Sequence, residues 1–217
     1  MCSVALSRDG EILEHYENYD GNSHSTALAP MVRDAMEYAH SRELRLDAVA
    51  VSMGPGSYTG LRIGLSQAKG LAFGLEVPLI GINTLELLVV SAMFNHFIDD
   101  EVLYAPMIDA RRMEVYTGLY TPGLKAVMEP CAMVLDENSL SEALAQRKVV
   151  LCGNGSEKAK AVIHSDNAMW IGGVKPVALD MVALAEKAWR EKAFVDVAYS
   201  TPVYLKDFVA TKPKKLL

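Results

Sequence analysis

The sequence predicts a layered α/β protein. Three observations carry that reading. Short apolar runs alternate with helix-period segments, an Asp9-Gly10 turn joins two such runs near the start, and a glycine-rich loop sits between a buried strand and a helix. The 217 residues suit one large domain or two small ones. With 51% hydrophobic and 22% charged residues the chain is globular in composition, and it is long enough to bury a core without a metal or disulfide staple.

The elements follow in order. Val4 to Leu6 and Ile12 to Tyr16 read as a hairpin around Asp-Gly. Asn22 or Ser23 caps a helix over 24–41, in which Leu28, Met31, Val32, Ala35, Met36 and Ala39 keep the i, i+3, i+4 rhythm. Pro30 inside it implies a kink or a late start. Ala48 to Ser52 is a buried strand, and a helix over 58–75 follows the glycine loop. Leu79 to Ile82 is a strand and Thr84 to Asn95 a helix. Val102 to Ile108 and Glu114 to Tyr120 are strands joined by Asp109-Ala110-Arg111-Arg112. The stretch through Pro122-Gly123 and Pro130 reads as irregular. Val149 to Cys152 is a strand, Gly153-Asn154-Gly155 a turn, and Ala161 and Val162 fall in a short helix. Met169 to Ile171 is strand-like, and Val177 to Trp189 is a helix. Weak regularity near 95–100 divides the chain into 1–97 and 98–217, and no internal repeat is visible.

Composition excludes several functions. Three separated cysteines, Cys2, Cys131 and Cys152, form no CxxC and fit a reducing compartment. No apolar stretch is long enough to span a membrane, and the first residues lack a signal-peptide pattern, so a cytoplasmic location is expected. The net charge of −6 argues against a stand-alone nucleic-acid binder. The basic residues Lys206, Lys212, Lys214 and Lys215 gather at the end, a tail that is either solvated or set against nucleic-acid phosphates within an assembly. His15, His24, His40, His96 and His164 form no HxxxH or HxH, so no metal site is assigned.

Gly54-Pro55-Gly56-Ser57-Tyr58-Thr59-Gly60-Leu61-Arg62 is the most informative segment. A strand-to-helix loop of this kind can hold an anion on its backbone N–H groups, or it is simply a tight turn. It is not a Walker A loop, because Leu61 follows Gly60, and Thr59 breaks the dinucleotide fingerprint. Ser57 follows the glycine directly, which breaks the nucleophile-elbow spacing and ranks a hydrolase reading third. Gly153-Asn154 offers a second phosphate contact of the same sort.

In the following helix Gly56, Gly60, Gly64, Ala68 and Ala72 recur every four residues, and Ser66, Gly70 and Gly74 form a second small ridge. Each helical glycine costs about 0.8–1 kcal/mol against alanine, so Gly60, Gly64, Gly70 and Gly74 together cost roughly 3–4 kcal/mol. Close approach of another helix, inside this chain or on a partner, is what would return it. Alternation pairs Asp109 with Arg111 at the hairpin tip, where an acid/base role or plain solvation are the two readings.

The run from Gly54 to Glu86 resembles the TsaB (YeaZ) family, the non-catalytic actin-like subunit of the bacterial tRNA threonylcarbamoyladenosine machinery. Cys2-Ser3-Val4-Ala5-Leu6, His24-Ser25, Asp109 to Tyr116 and Pro202-Val203-Tyr204-Leu205 carry the resemblance over nearly the whole chain. It implies an actin-like ATPase fold (ASKHA, ribonuclease H-like) of two lobes, with mixed sheets and flanking helices. It implies no catalytic residue here and no metal. Helices 24–41 and 58–75 would bind the catalytic paralogue TsaD, through His24, Leu28, Met31, Ala35, Tyr58, Gly60, Leu61, Gly64, Leu65 and Ala68. Phosphate or nucleotide contact would fall to Gly54, Gly56, Ser57, Gly153 and Asn154. No cofactor is required by the subunit, with ATP or ADP expected only at the complex interface. Further implied partners are a TsaE-like ATPase, a second copy when alone, and tRNA through the complex. Leu28 stands where TsaD has the second histidine of its HxxxH. Family members also begin with a strand and an acidic Thr-Ser-Thr-type turn ahead of the segment matching Cys2, so the resemblance implies a first sheet short of its central strand. The alternative from another class is an actin-fold ATPase or kinase using the Gly54–Gly60 loop and Asp109.

Overall fold

The computed structural model describes residues 1–20, 24–96 and 101–206, with the side chains of residues 24 and 25 outside the description. β1 (Cys2–Arg8) and β2 (Glu11–Asn18) form an antiparallel hairpin. Its turn holds Asp9 at φ 52 and Gly10 at φ 83, the left-handed pair that a two-residue hairpin loop requires. α1 (His24–Ser41) leads to β3 (Val49–Gly54), α2 (Tyr58–Leu75), β4 (Leu79–Asn83) and α3 (Thr84–Asn95). β3 and β4 pair in parallel and are not hydrogen-bonded to the β1–β2 hairpin. Pro30 lies within α1, which runs through it as one helix.

The second half holds β5 (Leu103–Asp109), β6 (Glu114–Tyr120), β7 (Ala126–Val134), α4 (Ser141–Gln146), β8 (Val149–Cys152), α5 (Ser156–Ala159), β9 (Ala168–Ile171) and α6 (Ala178–Glu191). Its five strands make one mixed sheet in the order β7-β6-β5-β8-β9. The stretch expected to be irregular is therefore a nine-residue strand, β7. Pro130 hid it, yet β7 is the sheet's edge and pairs with β6 alone, where a missing N–H costs no ladder bond. The helix expected at Ala161 and Val162 is also displaced: α5 begins at Ser156, immediately after the glycine turn, and Ser156 Oγ donates to the Gly153 carbonyl at 2.8 Å.

α3 joins the two halves. Eight of its twelve residues, Thr84, Leu85 and Leu87 to Ala92, are buried, so it is apolar all round. Leu85, Leu88, Val89 and Ala92 pack on Tyr104, Tyr120, Val150 and Cys152 of the five-stranded sheet. Leu87 and Val90 pack on Ile80, Ile82 and Leu184, which belong to β4 and α6. The far face of the large sheet buries Leu103, Ala105, Met107, Val149 and Leu151, the alternate residues of β5 and β8. Among the described residues no helix is long and apolar enough to cross a membrane.

Candidate functional site

α2 carries six of the ten residues expected to meet a partner, Tyr58, Gly60, Leu61, Gly64, Leu65 and Ala68. Ser57 caps it, its hydroxyl accepting from the Gly60 N–H at 3.3 Å. That places Ser57 as a helix cap at an exposed turn. Leu61, Leu65, Ala68 and Ala72 are buried, and the last three pack on Val49, Val51 and Met53 of β3. Part of the first small-residue ridge thus works inside the chain. Gly60 and Gly64 are half-buried, Gly64 with only Val51 Cγ2 near its missing Cβ, at 3.9 Å.

The second ridge points outward. Ser66, Gly70 and Gly74 are exposed, and a Cβ on Gly70 or Gly74 would meet nothing within 4 Å. Phe73 beside them is 79% exposed. No contact within the described residues uses those two glycines, although each weakens the helix. On α1, Leu28 and Ala35 face a cleft beneath the first hairpin together with Val32 and Met36, and Met31 is half-buried. His24 opens α1, and its side chain lies outside the described residues.

A strap that the elements read from sequence did not include runs over α2. Val195 N–H donates to the Leu79 carbonyl at 2.8 Å and Val203 N–H to the Met53 carbonyl at 2.7 Å. Between them Lys69 Nζ donates to the Ala198 carbonyl at 2.9 Å. Tyr204 stacks on Tyr58 with ring centroids 5.1 Å apart, and its hydroxyl accepts from Arg62 Nε at 3.1 Å. The Arg62 guanidinium also lies 4.2 Å over the Tyr58 ring. Lys206 Nζ then reaches Glu114 Oε2 at 2.5 Å, tying the strap to β6. The only sequence signal for it was a late run with Tyr199 and Tyr204 but no helical period.

The two glycine loops share one cleft. Gly56, Ser57 and Asn154 line it, whereas Gly54 and Gly153 do not. Both of the latter are left-handed, at φ 105 and φ 90, so glycine is required there. Asn154 Oδ1 accepts from the Asp109 N–H at 3.0 Å, which fixes that loop on the hairpin.

Asp109 does not pair with Arg111 in the way alternation suggested. Arg111 gives it only a backbone N–H, at 2.9 Å, because Arg111 and Arg112 both turn left-handed, at φ 71 and φ 48. The side-chain partner is Lys158 of α5, which the sequence did not reveal. Its Nζ donates to Asp109 Oδ1 at 2.5 Å, to the Arg112 carbonyl at 2.8 Å and to the Glu114 carbonyl. Burial pushes the Asp109 carboxyl up, but the bonds and charges of Lys158 and Arg111 outweigh it and hold the carboxyl below its ordinary range. Asp109 is thus a braced carboxylate, poorly suited to taking up a proton. Among the described residues no group of three His, Cys, Asp or Glu side chains could hold a metal ion.

A family model described as tRNA N6-adenosine threonylcarbamoyltransferase, the TsaD type, matches residues 14–214. The tRNA threonylcarbamoyladenosine biosynthesis protein TsaB of Escherichia coli is 33% identical over 97% of this chain and 92% of its own length. The TsaB of Haemophilus influenzae is 28% identical over 97% and 91%. Among solved structures, YeaZ from Pseudomonas aeruginosa superposes with a TM-score of 0.77 at 27% identity over 94% of each chain. A further solved structure from Pseudomonas aeruginosa, described as a protein with similarity to peptidase YeaZ, gives 0.80 at 28% over the same shares.

Proposed function

The chain belongs to the TsaB family, with its actin-like α/β fold, and on that premise we propose that it serves threonylcarbamoyladenosine synthesis on tRNA as a scaffold subunit. In this reading it holds a TsaD-type threonylcarbamoyltransferase through the outer faces of α1 and α2, and supplies an interface rather than a nucleophile. The observation that carries the reading is the exposed ridge Ser66, Gly70 and Gly74 beside Phe73. Glycine there costs helix stability that nothing within the described chain recovers, and a second helix approaching closely would recover it. The same ridge would seat a second copy when the TsaD-type subunit is absent. A TsaE-like ATPase and tRNA then join through the complex, and any nucleotide would lie near Gly56, Ser57 and Asn154 on the cleft.

Gly70→Arg tests this directly. The added side chain enters open space, so the isolated protein should melt at or slightly above the wild-type temperature. Its co-purification with the TsaD-type subunit should fall at least tenfold. Undiminished capture by the folded variant would place the interface elsewhere.

A further inference from the structure

The turn between β5 and β6 is built against its backbone preference. Adjacent left-handed positions in a hairpin turn ordinarily carry glycine, asparagine or aspartate. Here they carry Arg111 at φ 71 and Arg112 at φ 48. Lys158 braces them, its ammonium pairing with Asp109 and donating to the Arg112 carbonyl at 2.8 Å and to the Glu114 carbonyl. Both arginines are exposed, and among the described residues neither guanidinium has a hydrogen-bond or ion-pair partner. A backbone held in a costly form beneath two unspent guanidiniums keeps those side chains for something outside the chain.

The charge around the tip favours an anion. Lys206 lies on Glu114, and Tyr204, two residues before it, holds Arg62. The carboxylates of the turn are already neutralised, Asp109 by Lys158 and Glu114 by Lys206. Asp136 and the exposed Glu137 bound the positive face on the β7 side, where the Leu135 N–H donates to the Met113 carbonyl at 2.6 Å. The Asp136 carboxylate is turned into its own loop, accepting from the Asn138 N–H and the Ser139 hydroxyl, both at 3.0 Å. On the other side the described residues end at Lys206, and Lys212, Lys214 and Lys215 follow it in sequence. The six residues from Lys206 to Lys212 can span at most about 22 Å.

We propose that the Arg111–Arg112 tip, with Lys206 and the lysines after it, contacts the phosphate backbone of the tRNA. This rests on the tRNA role proposed above, but not on which helix face meets the TsaD-type subunit. A guanidinium binds a phosphate through two parallel N–H bonds, and neighbouring arginines can take successive phosphates of one strand. The occupant is a polyanion rather than a single phosphate, because the cations run from the tip along the strap instead of converging on one point. The chain as a whole carries a net charge of −6 and repels RNA, so this patch fixes the side from which tRNA approaches. Phosphate contacts of this kind set orientation and read no sequence.

The test uses the full-length chain, alone and with the TsaD-type subunit, and follows the anisotropy of a labelled unmodified tRNA transcript against salt. Arg111→Asn with Arg112→Asn removes both charges, and asparagine tolerates the left-handed turn, so the fold is kept. The double variant should bind the tRNA at least about tenfold more weakly at low salt, and its slope of log K against log salt should shrink by roughly 1.4–1.8, the worth of two phosphate contacts. An unrelated RNA of equal length should lose as much. Lys212→Gln, Lys214→Gln and Lys215→Gln together should lower the slope again. In the reconstituted complex the double variant should raise KM for tRNA and leave kcat unchanged. Unchanged affinity and slope in the double variant overturn the proposal. So does displacement of the tRNA by ATP at matched phosphate concentration, which would make the tip a site for a single nucleotide. Loss of co-purification with the TsaD-type subunit at unchanged RNA affinity would assign the tip to a protein interface and overturns it equally. Gly70→Arg should leave RNA binding by the isolated chain intact, so the interface reading and this one fail separately.

Discussion

Replacing Lys158 by methionine asks whether Asp109 is a brace or a reactive group. Lys158 is 19% exposed, and its three ammonium hydrogens are matched by Asp109 Oδ1 and the carbonyls of Arg112 and Glu114. A hydrogen bond to a charged group is worth about 1.5–3 kcal/mol at best. Asp109 is 49% exposed, so water screens its share heavily and the three bonds do not simply add. The turn they hold contains two left-handed arginines, a conformation that costs of order 1 kcal/mol each without support. Together these give a loss of roughly 2–3 kcal/mol, or a fall of about 4–12 °C in melting temperature for a chain of this size. Urea unfolding followed by circular dichroism reads it. The pH dependence adds a second check. The folded-state carboxyl titrates below its ordinary value of 3.8, so its contribution is complete above that pH and is lost as the pH falls toward the folded value. The gap between wild type and Lys158→Met should therefore narrow on the acid side of 3.8. A variant within about 0.5 kcal/mol of wild type at neutral pH, a typical surface effect, would refute the brace.

Glu86→Gln should stabilise the protein at neutral pH, because burial, only partly offset by Lys187, raises the Glu86 carboxyl and makes its charged form costly in the fold. That advantage should vanish below its ordinary value of 4.5, as thermal melts across pH will show. Gly153→Ala should cost at least about 2–3 kcal/mol, since its Cβ would lie 2.5 Å from the Met107 carbonyl oxygen at a left-handed φ. Gly70→Ala should instead gain about 0.5–1 kcal/mol in the same denaturant titration, as helix propensity alone changes there. Tyr204→Ala should release the strap, shown by faster exchange of the Val203 amide that now donates to Met53.

The parts of the fold that the sequence disclosed are those whose signals are local. α2 over 58–75 and α3 over 84–95 were legible because their glycine loop, caps and apolar spacing lie within a few residues of one another. β7 was not, because an edge strand may carry Pro130 and leave Val127 and Val134 in water, which blurs its alternation. Long-range partners were invisible for the same reason. Lys158 meets Asp109 across 49 residues, and Tyr204 meets Arg62 across 142, distances no periodicity spans. The small-residue ridge shows how far pattern reading goes and where packing must take over. Spacing marked Ala68 and Gly70 alike as small, but only β3 behind Ala68, and open space beside Gly70, distinguish a residue spent inside the chain from one offered outside.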